Sequence, residues 1–199
     1  MSPTELAKCR RVLAAVLAVA ASAGLARDAH AHPHVWATVR SEIILDANRQ
    51  ITGVRHAWTF DEMYSAMAVQ GLDANGDGVY SPEELKPPEN ASLDYDKSLL
   101  TLHFTLPLAT PLNAHSQEVQ VDVYDPSFFV AFGFATEAPV TLSGPAVKGC
   151  TAEVKKPDPD TEEDAKALSE SFFSQLGPNS NFGSQFAQTV TVKCSDAPS

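Results

Sequence analysis

An alternation of apolar and polar residues runs from Val35 to Leu45 and constrains the fold more than any other feature of the chain. Successive side chains of a strand point to opposite faces, so the alternation predicts a strand with one buried face. A polar turn then leads into a second strand, Ile51–Trp58, and the pair predicts a hairpin. Six further short strands are predicted: Leu99–Leu106, Gln117–Tyr124, Phe128–Ala135, Val140–Ser143, Cys150–Val154 and Thr189–Cys194. Together they predict a mainly β fold, an antiparallel β-sandwich.

Two helical patterns interrupt the strands. The first begins with a capping-box pattern, Thr59-x-x-Glu62, and continues with apolar residues at helical spacing: Phe60, Met63, Tyr64 and Met67. The two methionines could bind a soft metal, but their fit to this apolar stripe favours a packing role. The second helix, in the carboxy-terminal half, begins at Thr161 and ends at Gly177, with an apolar stripe of Ala165, Leu168, Phe172 and Leu176.

The run from Asp73 to Glu84 fits the calcium loop of an EF-hand at every constrained position. Oxygen donors at alternate positions turn towards one centre, and Gly78 allows the sharp turn that follows the first three. The predicted ligands are Asp73, Asn75, Asp77, the carbonyl of Val79, Ser81 and Glu84. A turn solvated only by water is the alternative.

The flanks of this loop support an EF-hand-like insertion at about 59–87. Ser81 and Pro82 are a cap residue and a first-turn proline, and Tyr80 occupies the position of a hydrophobic anchor. Pro87 and Pro88 stop the second helix early. Because one loop lacks a paired partner, we expect weak calcium affinity, about 10⁻⁴ to 10⁻³ M, and a structural ion.

Residues 1–31 have the pattern of a secretory signal peptide. A basic segment with Lys8 and Arg10 precedes an apolar run, Val12–Leu25, and Ala29-His30-Ala31 is a cleavage pattern. The run is short for a membrane span, so an uncleaved anchor is the weaker alternative and an integral membrane protein is not expected. Residues 32–199 are then a single exported domain.

Export leaves Cys150 and Cys194 as an even pair in an oxidising compartment, which predicts a disulfide. The pair could instead supply two thiolates to a metal, but its spacing is far from that of a C-x-x-C motif.

The formal net charge of −11 disfavours nucleic acid and anionic membranes as partners. No nucleophile motif, phosphate loop or zinc-protease motif occurs in the sequence, so an enzyme is not expected.

Cleavage after residue 31 would place His32 at the amino terminus, two residues before His34. The terminal amine and imidazole nitrogens can chelate a transition metal. A frayed tail without a ligand is the alternative. His56 shares a strand face with Val54 and Trp58 and is expected in the core.

Three segments resemble an uncharacterised bacterial family described as periplasmic components of an ABC-type transport system. They are residues 32–36 (HPHVW), 58–65 (WTFDEMYS) and 123–132 (VYDPSFFVAF). The resemblance implies a periplasmic location and, because such proteins are often encoded beside nickel and cobalt permeases, a role near metal transport. Its members have a longer aromatic-rich segment where this chain has only residues 86–98, which implies a missing edge strand or part of a binding face.

Three functions follow as expectations. The first is an exported calcium-binding accessory of transition-metal transport that offers His32 and His34 to Ni²⁺, Co²⁺, Zn²⁺ or Cu²⁺ and contacts a membrane permease. The second is a structural or interaction module ordered by calcium. The third is a copper oxidase that uses an amino-terminal histidine.

Overall fold

The structure is a computed structural model that describes residues 33–158, 161, 168, 170–176 and 180–195. The predicted signal peptide and His32 lie outside the described residues. Within these ranges, no helix has both the length and the apolar character needed to cross a membrane.

Strands dominate the described residues, which confirms the predicted mainly β class. The strands are β1 (Val35–Leu45), β2 (Gln50–Phe60), β3 (Ala91–Asp96), β4 (Leu99–Asn113), β5 (Val119–Val123), β6 (Val130–Phe134), β7 (Val140–Ser143), β8 (Cys150–Lys155) and β9 (Gln188–Cys194). The helices are α1 (Glu62–Ala68), α2 (Pro82–Leu85), α3 (Glu170–Ser174) and a 3₁₀ helix (Phe182–Phe186).

The strands form two sheets. The larger has the order β3-β4-β2-β1-β6, with β7 also paired to β1, and the smaller has the order β5-β9-β8. The predicted hairpin is present, since β1 and β2 are antiparallel. The larger sheet is mixed, because β6 and β7 run parallel to the two halves of β1.

The main core lies between the two sheets. The apolar face of β1 contributes Ile43 and Leu45, and the smaller sheet contributes Val190 and Val192, all of them buried. The alternating pattern in β1 therefore predicts its burial correctly, because every second residue of the strand is buried.

The predicted disulfide is present. Cys150 of β8 lies directly opposite Cys194 of β9 in the smaller sheet, and the two sulfurs are bonded across a sequence separation of 44 residues. The bond holds β8 against β9.

Helix α1 begins later than predicted. Thr59 does not cap it, because β2 continues through Phe60, which pairs with Ala37 of β1. The cap is Asp61, whose side chain accepts a hydrogen bond from the backbone N–H of Tyr64.

The predicted second helix is described only in part. Residues 162–167, 169 and 177–179, with the predicted Ala165 and Gly177, lie outside the described residues. In α3 the buried aromatic is Phe173, whereas Phe172 of the predicted stripe is 36% exposed. Phe173 packs with Phe128 and Phe186 in a second apolar cluster.

The segment expected to lack an edge strand contains one. β3 pairs antiparallel with β4 at the edge of the larger sheet, from Ala91 opposite Phe104 to Asp96 opposite Leu99. Its alternation is polar and exposed on one face, which is the form natural edge strands take.

Candidate functional site

The predicted calcium loop lies between α1 and α2 and is held against the larger sheet. Val69, which follows α1, and Leu85 of α2 pack on Leu100 of β4 in a third apolar cluster. Tyr80 joins the edge of this cluster, with its ring 4.7 Å from that of Tyr95, as the anchor position predicts. Both ends of the loop are therefore held by residues that pack against the larger sheet.

Helix α2 begins within the loop, as predicted. The side chain of Ser81 accepts a hydrogen bond from the backbone N–H of Glu84, and the Glu84 carboxylate accepts one from the backbone N–H of Ser81. This reciprocal pair is a capping box, and Pro82 stands in the first turn. The helix ends at Leu85, before Pro87 and Pro88.

The first loop carboxylate, Asp73, organises the turn. Its two oxygens accept the backbone N–H groups of Gly76 at 2.7 Å and Gly78 at 3.0 Å. Gly78 has a φ of 76°, in the left-handed region, so the predicted need for glycine at this position is confirmed.

The middle of the loop is stabilised by Asn75 and Asp77. The Asp77 carboxylate accepts the backbone N–H of Val79 at 2.7 Å and the side-chain amide of Asn75 at 3.0 Å. The side-chain oxygen of Asn75 accepts the backbone N–H of Asp77 at 2.9 Å. These side chains turn inward on the loop backbone.

Glu84 joins the two ends of the loop. One carboxylate oxygen accepts the backbone N–H of Ala74 at 2.9 Å, and the other accepts both the N–H and the hydroxyl of Ser81 at 2.9 Å. The hydrogen bonds from Ser81 are the main cause of a pKa below the ordinary value for the Glu84 carboxyl. The last predicted ligand is thus a carboxylate held in its charged form beside the start of the loop.

The loop carboxylates do not already form a metal cage. No three His, Cys, Asp or Glu side chains of the described residues lie grouped in a way that could hold a metal ion. Asp73, Asp77 and Glu84 are engaged instead by amides and by Ser81. The structure brings the predicted ligand residues into one closed loop, but their oxygens do not point to a common metal position.

The amino-terminal histidines are only partly described. The backbone N–H of His34 donates to the carbonyl of Phe129 at 2.9 Å, and the two rings lie 4.8 Å apart. His34 is therefore held next to β6, and its position relative to His32 falls outside what the structure describes.

His56 lies in the interior, as predicted. It is 4% exposed, and its Nδ1 lies 2.8 Å from the hydroxyl of Ser41. Burial lowers the pKa of His56 below its ordinary value of 6.5, so the ring is neutral at neutral pH.

The packing role predicted for the methionines is wrong. Met63 is 71% exposed and Met67 is 64% exposed. The inner face of α1 is formed by other residues, with Ser65 fully buried and Ala68 packing against the third apolar cluster. The predicted stripe joined the methionines to Phe60 and Tyr64, and helical spacing alone does not decide which of these residues face the sheet.

Comparison with known proteins gives one family and one relative. A family model described as "Protein of unknown function (DUF1007)" matches residues 17–88 and 84–194. A Haemophilus influenzae protein, named only as an uncharacterised protein, is 25% identical over 195 residues, which covers 82% of this chain and 91% of that protein. No solved structure gives a significant match.

Proposed function

We propose that this chain, which belongs to the DUF1007 family of proteins of unknown function, is an exported calcium-binding protein and a periplasmic accessory of transition-metal transport. The observation that carries the calcium part is the closure of the loop by Glu84. This carboxylate accepts the backbone N–H of Ala74, which follows Asp73, so the last predicted ligand lies at the start of the loop although ten residues separate positions 74 and 84.

Electrostatics supports a cation in this loop. The twelve residues 73–84 contain four carboxylates, three of which are predicted ligands, in a chain whose formal charge is −11, and a bound divalent ion would offset their mutual repulsion. Carboxylate, amide and carbonyl oxygens are the donors that calcium prefers. Asp73, Asp77 and Glu84 would hold the ion, with Asn75, Ser81 and the carbonyl of Val79 completing the set.

Weak affinity is expected, because the cage is not preformed. Calcium binding must first draw the carboxylates together, and the short helix α2 supplies only four residues to fix one side of the loop. A dissociation constant of about 10⁻⁴ to 10⁻³ M, the range of extracellular calcium modules, fits an ion that orders a structural element.

The calcium proposal is tested by titration and thermal denaturation of the wild-type protein and two matched variants. Glu84→Gln keeps an acceptor for the capping box but removes one charge and one charged oxygen. Its control, Glu83→Gln, removes the adjacent charge, which is not a predicted ligand. At 10 mM Ca²⁺ we expect the wild type to gain about 1.4–2.7 kcal/mol, or about 3–11 °C in Tm.

We expect Glu84→Gln to weaken calcium binding at least tenfold and Glu83→Gln to leave it within a factor of two. Absence of calcium binding by the wild type, or equal loss in both variants, would contradict the assignment.

The transport part rests on the signal-peptide pattern and on the resemblance to periplasmic transport components. It predicts that the exported protein binds Ni²⁺, Co²⁺, Zn²⁺ or Cu²⁺ through its amino terminus. The first residue is determined by mass, and the same preparation is titrated with each ion. One extra residue before His32 should weaken binding, because it displaces the terminal amine from the imidazole. An interaction module ordered by calcium would be indifferent to that change.

A further inference from the structure

Two methionines stand out on the surface of α1. The chain has three methionines, at positions 1, 63 and 67, so Met63 and Met67 are the two beyond its first residue. Both belong to the same helix, and both are more than 60% exposed, at 71% and 64%. Methionine is an apolar residue that usually fills gaps in cores, so this placement of both internal methionines requires an explanation.

Packing does not explain it. The inner face of α1 is complete without the methionines, because Ser65 is fully buried and Val69 is 3% exposed at the end of the same face. The Ser65 hydroxyl accepts the backbone N–H of Leu100 at 2.9 Å and donates to the carbonyl of Phe60 at 3.2 Å. The thioethers are thus free of any structural task on the sheet.

Their spacing puts the two side chains together. Residues four apart on a helix lie on one side, with Cβ atoms about 5–6 Å from each other. Each methionine has three rotatable bonds beyond its Cα, so the two sulfurs can approach a common ion without any change in the backbone.

The helix that carries them is a fixed platform. At its start, the Asp61 carboxylate accepts the backbone N–H of Trp36 at 2.9 Å, and the backbone N–H of Asp61 donates to the carbonyl of Trp36 at 2.9 Å. Asp61 also caps the helix through Tyr64. A ligand at the outer face would therefore meet two flexible side chains on a rigid backbone.

We propose that Met63 and Met67 bind a soft monovalent cation, Cu(I), between their two thioether sulfurs. Thioether sulfur is a soft donor that selects Cu(I) over the borderline and hard ions that imidazole and carboxylate take. No free thiol competes in the described residues, because Cys150 and Cys194 are bonded to each other. The site is separate from the calcium loop and does not depend on the proposed calcium function.

The overall charge of the chain favours a cation over an anion at its surface, because the formal charge is −11. An apolar partner docked on the two methionines is the competing explanation, and the choice of variants separates the two.

The test uses the full chain with Cys9→Ser, so that no free thiol is present however the amino terminus is processed. Ag⁺ serves as a stand-in for Cu(I) that is not easily oxidised or reduced, in buffer free of chloride, and affinity is measured by calorimetry. The variants are Met63→Leu, Met67→Leu and the double substitution. Leucine keeps the volume, the apolar character and the helix propensity while removing the sulfur.

We expect one Ag⁺ per chain, binding at least tenfold weaker in each single variant and lost in the double variant, with unchanged thermal stability. Labelled methionine methyl groups should report it directly, because the resonances of Met63 and Met67 should shift with Ag⁺ while that of any retained Met1 should not. Wild-type affinity in the double variant, or no Ag⁺ binding by the wild-type sequence, would overturn the proposal. Either result would leave the calcium loop untouched.

Discussion

The hydroxyl of Ser65 is the polar connection between the loop-bearing insertion and the larger sheet. It is fully buried, and it accepts the backbone N–H of Leu100, a residue that is itself 6% exposed. In Ser65→Ala this N–H would keep its place in the interior without an acceptor. Leaving a buried donor unsatisfied costs about 1–3 kcal/mol, more than the net value of the hydrogen bond itself.

For a chain of this length, that loss corresponds to a decrease in Tm of about 2–12 °C. Urea and thermal denaturation should both show Ser65→Ala to be less stable than a control, Ser92→Ala. Ser92 is exposed on β3. We expect the control to remain within about 0.5 kcal/mol of the wild type. A Ser65→Ala protein as stable as the control would refute the argument that this hydroxyl satisfies a buried amide.

Three further predictions follow from the same structure. Replacing Cys150 and Cys194 by alanine should cost about 4 kcal/mol by the chain-entropy model, because the bond closes a loop of 44 residues, and the loss should appear as a lower urea midpoint. The pKa of His56 is lowered by burial, so the unfolded state binds the proton first and stability should fall as the pH decreases below 6.5. This loss of stability is at most about 1.4 kcal/mol for the pH unit from 6.5 to 5.5. His56→Gln should abolish it, which is measured by comparing the unfolding free energies of wild type and variant at pH 7.5 and 5.5. Asp61→Ala should destabilise α1 by about 0.5–2 kcal/mol, measured by hydrogen exchange of the helix amides, whereas Asp61→Asn should retain most of the cap.

Burial raises the pKa of Asp61, and the hydrogen bonds from the N–H groups of Trp36 and Tyr64 lower it. The lowering is the larger effect, so the net pKa lies below the ordinary value. Its contribution to stability is therefore present above the unfolded-state pKa and is lost as the pH falls through the folded-state value. This acid-side loss should be absent in Asp61→Asn.

Strand positions were predictable where one face is buried and the other is not. The bounds of β1 follow from alternation, because a register slip would move its apolar set to the solvent. β3 escaped prediction because an edge strand buries little, and its sequence of alternating polar residues resembles a loop. The parallel pairing of β6 and β7 with β1 also has no local signal, since partner choice depends on the whole sheet.

The backbone conformation of the calcium loop was predictable from the sequence, but the buried face of the helix before it was not. The turn at Gly78 and the cap at Ser81 are local, so sequence spacing is sufficient to place them. Which face of α1 is buried is decided by tertiary contact, because the predicted stripe of Phe60, Met63, Tyr64 and Met67 contains two methionines that are exposed in the structure. Contact with β4 buries the face that contains Ser65, whose small side chain accepts the backbone N–H of Leu100.

The two metal proposals differ in how cleanly they can be separated from folding. Met63 and Met67 contribute nothing to the core, so the removal of their sulfurs tests binding alone. Glu84 is both a predicted calcium ligand and half of the capping box of α2, so a variant that destroyed the carboxyl group would unwind the helix as well as remove the ligand. Glutamine at this position resolves the ambiguity, because its side-chain oxygen can still accept the Ser81 N–H while one charged oxygen is gone. A loss of calcium affinity in a variant whose α2 amides keep their protection from hydrogen exchange could then be attributed to coordination and not to the cap.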